Sequence, residues 1–588
     1  MLFVSLTHSA LVNSLSHGIS RQFSITPDWF LTCVTDGFLS RLSVSEDEIV
    51  ASESLLASAN GASQDVPFVS ARFRLKQHSL QVTLYPVSSR PVYYGKDAKG
   101  NFFLSSHISL LRQAGLPIEE DPEALPELLI YRVVAPPRTL FKNVRTMPFA
   151  GELTIQLKDG NWRIDEQKVG YQPPVAAAGR SETVMVEEIA GSLNDLVSRL
   201  NPVASSVATL LSGGIDSSTL SAIARDRISV YDTYSTSYPF DDVAVNLEQK
   251  YALSAACALS TRHTLFAPAP SDFITGFVEA LGFAEAPLNH LQSVLLHLVF
   301  KRSIPARIDR ILCGAGADAA FGMADLCMWC NPPDLRRRFF SLPPVHLGLG
   351  LLGRGWARAQ KASDGIAQTK RLNLPVSDPY SPIWESEAYG NFAWVRAHYG
   401  ASRDDVTSYR RESLGGFADR SFQDAFAVYV FNYAGAGSEV WSKLAEAQGK
   451  ILFCPFSGKR VLDAAFSIPW KTKLKAPKYI VRRVAEKLGV PQVILNRPKQ
   501  SFGIVSDRWA EPGGVLEPLV AVAAKVVDIK QLRDLQGNDS QKAMMLWSLL
   551  NYAVLKRLFV QGESAESLLS EVLDNCGQKA RSAQAGVV

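Results

Sequence analysis

A short segment near the middle of the chain constrains the fold more than any other feature. The apolar run 207–210 precedes Leu-Ser-Gly-Gly-Ile-Asp-Ser-Ser at 211–218, and a helix-like stretch continues to 224. This order predicts a buried strand, a glycine turn and a helix start. Glycines let the backbone approach an anion, and free N–H groups at a helix N-terminus hold it. The segment therefore predicts a phosphate-binding turn; the alternative is a chance Gly-Gly turn capped by Ser and Asp.

The turn matches neither of two common nucleotide motifs. It lacks the Gly-Lys-Ser/Thr ending of a Walker A loop and the Gly-x-Gly-x-x-Gly of dinucleotide-binding folds. Asp216 places a carboxylate beside the predicted phosphates, where it would hold Mg²⁺, which prefers oxygen ligands. The residues that we expect to bind the nucleotide in this turn are Leu211, Ser212, Gly213, Gly214, Asp216, Ser217 and Ser218.

Length and composition narrow the class of protein. A chain of 588 residues is too long for one ordinary core, so two or three domains are expected. A net charge of +4 gives no reason to expect nucleic-acid or anionic-membrane binding. The apolar runs are too short for a membrane span, a signal peptide is not evident, and the cysteines are few and scattered. We therefore expect a cytoplasmic protein that binds neither nucleic acid nor membrane.

The first part of the chain, residues 1–172, has the pattern of antiparallel strands. Apolar and polar residues alternate at 69–75 and 79–85, and a hairpin is predicted over 91–105. Such strands predict a β-rich sandwich. A Pro- and Ala-rich stretch then predicts a linker at 173–184.

The second part, 185–575, alternates strands with helices. Strands are predicted at 229–234, 262–266 and 310–313, which together with the strand before the glycine turn indicates a doubly wound parallel sheet. An irregular insert at 330–389, rich in Pro, Gly, Arg and aromatic residues, suits contacts with a peptide or a partner protein; the alternative is a basic face turned toward solvent. Residues 576–588 are predicted to be a disordered tail.

A second acidic turn follows the predicted strand 310–313. Gly314 and Gly316 permit close backbone approach, so both are expected to contribute to nucleotide binding. Asp318 would supply a second carboxylate from the neighbouring strand end. Asp216 and Asp318 are therefore the predicted Mg²⁺ ligands.

A third, basic element lies at 496–503, beyond a helix that carries Lys478, Arg482 and Arg483. Cleavage of ATP at its α phosphate builds negative charge on phosphorus and on the departing pyrophosphate. A positioned lysine offsets this charge as it develops, and Lys499 is the candidate. The alternative is a solvated surface lysine.

In order and spacing, these three segments resemble asparagine synthetase B and its relatives. Residues 211–218 are similar to that family's pyrophosphate loop, 314–322 to its second acidic loop, and 497–502 to its lysine-bearing loop. The resemblance implies an α/β protein with a degenerate Ntn-amidotransferase-like sandwich domain ahead of an adenine nucleotide alpha-hydrolase-like domain, the PP-loop ATP pyrophosphatase fold. It also implies ATP and Mg²⁺ as cofactors. Glu285 stands where relatives place an acidic residue near pyrophosphate, which makes it a second catalytic candidate beside Lys499.

The chain departs from the family pattern at informative positions. Glutamine-using relatives carry a nucleophilic cysteine directly after the initiator methionine, where this chain has Leu2, and its first cysteine, Cys33, lies in an apolar run. The β-lactam-forming relatives have a catalytic glutamate where this chain has Ile451. The second acidic loop also carries alanines at 315, 317 and 319 in place of acidic or hydroxyl residues.

These departures favour relatives that take the amine from the substrate itself. The chain most resembles lasso-peptide cyclases, which join a peptide's N-terminal amine to an Asp or Glu side chain as a macrolactam. The resemblance implies a precursor peptide as substrate and a leader-recognising protein and leader peptidase as partners. Two alternatives stay open: an asparagine synthetase or β-lactam-synthetase-like enzyme acting on a small amino acid, and a non-catalytic scaffold with a degenerate site.

Overall fold

The structure of the protein is a computed structural model. The residues that the structure describes are 2–8, 19–35, 40–54, 67–85, 90–148, 150–168, 171, 173–174, 176, 179–200, 207–226, 231–237, 243–322, 375–386, 388–414, 422–431, 436–497, 506–537 and 539–585.

The N-terminal part folds into two six-stranded sheets. One has the order β10-β8-β9-β1-β3-β2 and the other β12-β11-β7-β6-β5-β4, and all neighbouring strands described are antiparallel. The strands are β1 (Leu2–Thr7), β2 (Ile19–Thr26), β3 (Trp29–Thr35), β4 (Ser40–Val44), β5 (Glu48–Ser54), β6 (Pro67–Arg74), β7 (Ser79–Leu84), β8 (Tyr93–Lys96), β9 (Phe102–Ser105), β10 (Arg145–Thr146), β11 (Glu152–Lys158) and β12 (Asn161–Lys168). The predicted sandwich, its two alternating strands and its hairpin are confirmed.

Strand β1 has apolar residues at successive positions rather than in alternation. Leu2 and Val4 point into the core between the two sheets, whereas Phe3 joins a second core that continues into the C-terminal part. Side chains of a strand alternate between its faces, so a sheet covered on both faces needs apolar residues at successive positions. The N-terminal layer is thus packed against the rest of the protein rather than tethered beside it.

The C-terminal part is built on a parallel sheet of order β15-β14-β13-β16-β17. Its strands are β13 (Val207–Leu210), β14 (Asp232–Thr236), β15 (Arg262–Phe266), β16 (Arg310–Leu312) and β17 (Ile451–Phe453). After β13 the chain adds β14 and β15 on one side of this strand and then β16 and β17 on the other side. The direction in which strands are added therefore reverses beside β13. Ligands of such sheets bind at the carboxyl ends of the strands at this reversal.

Helices pack against the sheets of both parts and against one another. In chain order they are Ile108–Gln113, Leu125–Tyr131, Glu182–Arg199, Ile215–Arg225, Val243–Ala258, Pro270–Ala284, Gln292–Arg302, Ala317–Phe321, Ile383–Ser386, Phe392–Tyr399, Arg403–Ser413, Phe422–Tyr429, Ala436–Glu446, Lys459–Phe466, Trp470–Lys473, Tyr479–Lys487, Gln492–Leu495, Ser506–Ala510, Glu517–Ala523, Ile529–Leu535, Ser540–Leu555 and Ala565–Ala585. Shorter 3₁₀ turns lie at Pro122–Ala124 and Pro455–Ser457, and a π-helical turn at Lys556–Val560.

The sequence predicts that a helix opens at 181–184 and runs toward Leu200, and the structure confirms it as Glu182–Arg199, so that its first turn overlaps the end of the predicted linker. The Ser181 side chain caps this helix by accepting a hydrogen bond from the Val184 N–H. One helix end differs from the sequence prediction. The last helix extends to Ala585, into the predicted tail, where Ala, Gln, Lys and Arg favour helix. Of the predicted insert, 330–374 lies outside the described residues.

Among the described residues, one helical stretch, Ser540–Val560, is long and apolar enough to cross a membrane. However, 89% of its apolar window is buried inside the protein. Its Trp547 packs edge-on against Phe277, with ring centroids 4.8 Å apart. The stretch therefore serves as a central core helix in this fold.

Candidate active site

The glycine turn predicted from the sequence joins β13 to the helix Ile215–Arg225. Gly214 is the N-cap of that helix, so no side chain of its own covers the first N–H groups. Ser217 folds back on the turn: its Oγ accepts a hydrogen bond from the Ser212 N–H at 3.2 Å and lies 3.2 Å from the Ser212 Oγ. The turn is thus a preformed loop at the carboxyl edge of the central strand, as predicted.

Position 213 requires glycine both because of its backbone conformation and because there is no room for a side chain. Its φ is +69°, and a Cβ atom there would lie 2.4 Å from the carbonyl oxygen of Tyr251. The helix Val243–Ala258, which carries Tyr251, therefore packs directly against the turn. A side chain at 213 would move the turn, the helix or both.

We expect Gly213→Ala to lower ATP affinity about tenfold or more, because the turn must shift in addition to the roughly 1–2 kcal/mol cost of a left-handed alanine. Gly489→Ala is the matched control, since Gly489 has a φ of +71° and a Cβ atom there would have no neighbour within 4 Å. Equilibrium dialysis with labelled ATP measures affinity, and thermal unfolding measures stability. Equal ATP affinities of the two variants would contradict this role for the turn.

The second acidic loop lies beside the first. A Cβ atom on Gly314 would come within 2.9 Å of the Asp216 Cβ, and one on Gly316 within 2.4 Å of the Ser457 Oγ. Gly316 has a φ of +94° and is the N-cap of the short helix Ala317–Phe321, which carries Asp318. Both glycines therefore let this loop pack closely on its neighbours, and the sheet brings Asp318 near Asp216.

Lys478 joins the two predicted metal ligands. Its Nζ contacts Asp216 Oδ2 and lies 2.9 Å from Asp318 Oδ2, and its own side chain is 8% exposed. Burial alone would lower the pKa of Lys478, but the two carboxylates raise it above its usual value. The ammonium group is therefore charged and spans two carboxylates that lie 262 and 160 residues away along the chain.

The same arrangement fits Mg²⁺. Two carboxylates close enough to share one cation provide hard oxygen ligands, and Mg²⁺ commonly takes one or two protein carboxylates with phosphate oxygens and water completing its shell. Among the residues that the structure describes, no group of three or more His, Cys, Asp or Glu side chains forms a metal cage. Asp216 and Asp318 thus suit a metal that arrives with a nucleotide.

A cavity of about 270 Å³ opens at this edge of the sheet. Of the predicted residues, it is lined by Leu211, Ser212, Asp216, Ser217, Gly314 and Asp318. Gly213, Gly214 and Gly316 shape its loops. Ser218 is fully buried, does not line the cavity, and donates its N–H to the Gly214 carbonyl at 3.0 Å. The structure therefore brings most of the residues that were predicted to bind the nucleotide to one cavity, and it places Ser218 in the helix beneath that cavity.

The predicted lysine loop begins at this site. Lys499 lies outside the described residues, but Arg497 donates a hydrogen bond to the Ser212 carbonyl at 2.9 Å. The Arg497 guanidinium also stacks over the Tyr251 ring, 4.2 Å from its centroid. The segment that leads to Lys499 is thus attached to the glycine turn, and the role of Lys499 itself remains a prediction.

Glu285 is placed elsewhere, which corrects the expectation that it lies near pyrophosphate. Its carboxylate accepts hydrogen bonds from the N–H groups of Ile108 and Ser109 at 2.7 and 3.1 Å, and from Lys443 Nζ at 2.6 Å. It lines a separate cavity of about 80 Å³ between the N-terminal layer and the C-terminal part. Burial alone would raise its pKa, but Lys443 and His107 hold the pKa below its usual value. Glu285 is therefore a buried structural acceptor.

Several cavity residues were not predicted from the sequence. They are Leu210, Tyr234, Ser235, Thr236, Gln249, Ala252, Gln292, Leu295, Leu296, Val299, Cys313, Ala315 and Trp441. Residues 234–236 are at the carboxyl end of β14, next to the point where the strand order reverses. This position could have been used to predict from the sequence that they line the cavity. Trp441, whose indole N–H donates to Ser293 Oγ at 3.0 Å, comes from a distant helix and carried no such signal.

Comparison with known proteins agrees with this geometry. A family model described as asparagine synthase matches residues 188–564. A Mycobacterium tuberculosis protein named "Putative asparagine synthetase (glutamine-hydrolyzing)" is 24% identical over 517 residues, covering 81% of this chain and 74% of the relative. Asparagine synthetase (glutamine-hydrolyzing) 1 of Bacillus subtilis is 26% identical over 444 residues, covering 74% of this chain and 66% of the relative.

Proposed function

Because this chain belongs to the asparagine synthase family of ATP-dependent carbon–nitrogen ligases, we propose that it activates a side-chain carboxylate of a peptide and joins it to the peptide's own amine. The product is a macrolactam ring of the kind that lasso-peptide cyclases make. ATP and Mg²⁺ serve the activation step. A precursor peptide is the proposed substrate, and a leader-recognising protein and a leader peptidase are the proposed partners.

The observation that carries this proposal is the start of strand β1. Leu2 stands where glutamine-using relatives have their cysteine nucleophile, and it is fully buried with its N–H donated to Ser106 Oγ at 3.1 Å. Cys33 does not replace that nucleophile, because burial raises the pKa of its thiol to about 12. A candidate ATP site together with these two positions supports a ligase that does not take its ammonia from glutamine.

The site residues suit acyl-adenylate formation. A carboxylate oxygen of the substrate attacks the α phosphorus of ATP, the bond to the β phosphate breaks, and pyrophosphate leaves. The glycine turn and the N-terminus of helix Ile215–Arg225 receive the pyrophosphate, and Asp216 and Asp318 would hold Mg²⁺. Magnesium, when bound, neutralises charge on the phosphate oxygens. The amine then attacks the acyl carbon, AMP leaves, and the amine loses a proton.

A peptide substrate suits this chain better than the small substrates of the β-lactam-forming relatives. The β-lactam-forming relatives have a glutamate at the position of Ile451, and here Ile451 is 3% exposed at the start of β17, within the sheet. Holding amine and ester in one chain replaces a bimolecular step, which is worth up to roughly 7–11 kcal/mol in the best intramolecular cases. We therefore assign the larger part of the enzyme's task to folding the peptide.

A second candidate is amide formation from aspartate and free ammonia. The names of the curated relatives favour it, since both are called asparagine synthetases. A third, a non-catalytic scaffold, predicts that ATP does not bind. The meeting of Asp216 and Asp318 at one cation supports the catalytic candidates over the scaffold.

The test uses the full chain, ATP, Mg²⁺ and the peptide encoded by a short reading frame beside its gene. Its core should begin with Gly, Ala, Ser or Cys and carry an Asp or Glu a few residues further on. We expect loss of one water from the peptide mass and release of AMP and pyrophosphate in equal amounts. The control peptide has Asn or Gln at the acidic position and should release neither.

The alternative candidates give different results in the same assay. AMP release with aspartate and ammonium, but not with the peptide, would replace the macrolactam proposal with the second candidate. ATP binding that cannot be detected by equilibrium dialysis would favour the scaffold.

A further inference from the structure

Two cysteines lie side by side next to the proposed ATP cavity, which one of them, Cys313, lines. Cys313 directly follows β16 and Cys454 directly follows β17. The two strands are parallel neighbours with Leu312 opposite Phe453, so the next residues, Cys313 and Cys454, are opposite each other. The pairing continues at this level, because the Cys313 N–H donates to the Phe453 carbonyl at 2.9 Å.

This register suits a disulfide. Neighbouring strands are roughly 4.7–4.9 Å apart, and the Cα atoms of a disulfide are usually about 4.4–6.8 Å apart. The two side chains already meet, since the thiols of Cys313 and Cys454 share a hydrogen bond. Oxidation of the two thiols to a disulfide would therefore require little backbone movement.

The two thiols differ in their access to the cavity. Cys454 is fully buried, whereas Cys313 is 6% exposed and lines the ATP cavity. The hydrogen bond from Cys454 and that from the Ala315 N–H lower the pKa of Cys313, despite its burial. Cys33, by contrast, is buried in apolar surroundings and its pKa is raised to about 12. Cys313 is thus the thiol that a reagent entering the cavity would meet first.

We propose that Cys313 and Cys454 are an oxidation site, at which peroxide forms a disulfide only while the ATP cavity is empty. This inference goes beyond amide formation. Only the part of it that says bound nucleotide prevents disulfide formation rests on the proposed function. Gly314, next to Cys313, packs against Asp216, and the same loop leads to Asp318. A disulfide at Cys313 therefore constrains the loop that carries a predicted Mg²⁺ ligand.

The chemistry is balanced by one peroxide. The Cys313 thiolate attacks a peroxide oxygen, the O–O bond breaks, and a sulfenic acid and water form. The Cys454 thiol then attacks the sulfenic sulfur, an S–S bond forms, and a second water leaves. The two thiols lose two electrons, which reduce hydrogen peroxide to two waters, and a dithiol reverses the reaction.

The experiment uses the full chain with Cys327 and Cys330 changed to serine, since both lie outside the described residues. Reduced protein is treated with hydrogen peroxide, with and without Mg²⁺ and a non-hydrolysable ATP analogue, and digested for peptide mass mapping. We expect a Cys313–Cys454 cross-link that dithiothreitol reverses. Analogue at ten times its Kd, measured directly by equilibrium dialysis, should slow cross-linking about tenfold by mass action.

Variants separate the two thiols. Cys454→Ser should give no cross-link and a sulfenic acid at Cys313 that dimedone labels. The exposed Cys257 is the internal control, because its labelling should not depend on nucleotide. Absence of the cross-link while Cys257 is oxidised would overturn the proposal. Cross-linking at an unchanged rate with bound analogue would overturn the protection by nucleotide. If the cross-link forms but the ATP analogue does not bind, the proposal that Cys313 and Cys454 are an oxidation site stands, and the proposed ligase function is contradicted.

Discussion

Replacing Asp216 with asparagine is expected to lower AMP and pyrophosphate formation by roughly 10²–10³-fold or more, because it removes a carboxylate that would hold the Mg²⁺ that neutralises the developing phosphate charge. Asp216 is the carboxylate nearest the helix N-terminus and the one in closest contact with Lys478. The amide keeps the shape of the side chain but cannot neutralise a cation. The measurement is single-turnover AMP release with labelled ATP and saturating peptide.

Asp226→Asn is the matched control for this substitution. Asp226 lies at the other end of the same helix, as its exposed C-cap, and its ion pair with Arg225 is solvent-accessible. Exposed ion pairs of this kind are worth about 0–1 kcal/mol, so AMP release by this variant should equal that of the unaltered protein. Ring closure undiminished in Asp216→Asn would contradict the assignment of Asp216 to the ATP site.

Replacing Glu285 with alanine is expected to lower the free energy of unfolding by about 3–5 kcal/mol, because the Lys443 ammonium would stay buried without its carboxylate. The N–H groups of Ile108 and Ser109 would lose their acceptor as well. The surface substitution Glu566→Ala is the control, since Glu566 lies in the first turn of the last helix and is exposed. Urea unfolding measures both variants.

The effect of Glu285 should also depend on pH in one direction. Its pKa in the folded protein is lowered from 4.5, so its contribution is fully present above the unfolded-state value and is lost as the pH falls through the folded value. The alanine variant should therefore lose less stability on acidification than the unaltered protein. AMP release per folded molecule should change little. Unchanged stability with a large loss of turnover would instead restore the catalytic role that the sequence predicted for Glu285.

Local patterns make much of the fold predictable. The glycine turn at 213–214 is recognisable because its strand, turn and helix are consecutive in the chain, and period-two alternation predicts β6 and β7. The strand β17 is not predicted, since three residues at a sheet edge carry no period. Short edge strands are defined by their neighbours rather than by their own sequence.

The site is predictable only where its residues follow strands of the sheet. Asp216 and Asp318 both follow strands that flank the reversal, so their meeting could be anticipated. Lys478 comes from a segment 262 residues after Asp216, and a lysine ahead of a helix gives no sign that it is buried between two carboxylates. Glu285 shows the reverse: a family position suggested chemistry, but packing against residues 177 positions earlier fixes it in a structural role.

We propose that this chain converts a peptide carboxylate into an acyl adenylate at the glycine turn. Oxygen-18 in the side-chain carboxylate of the precursor peptide tests it most directly, with mass spectrometry of the released nucleotide. We expect one labelled oxygen in AMP for each ring closed, because the carboxylate oxygen that attacks the α phosphorus leaves with AMP. Ring closure with unlabelled AMP, or with ADP and labelled phosphate, would contradict it.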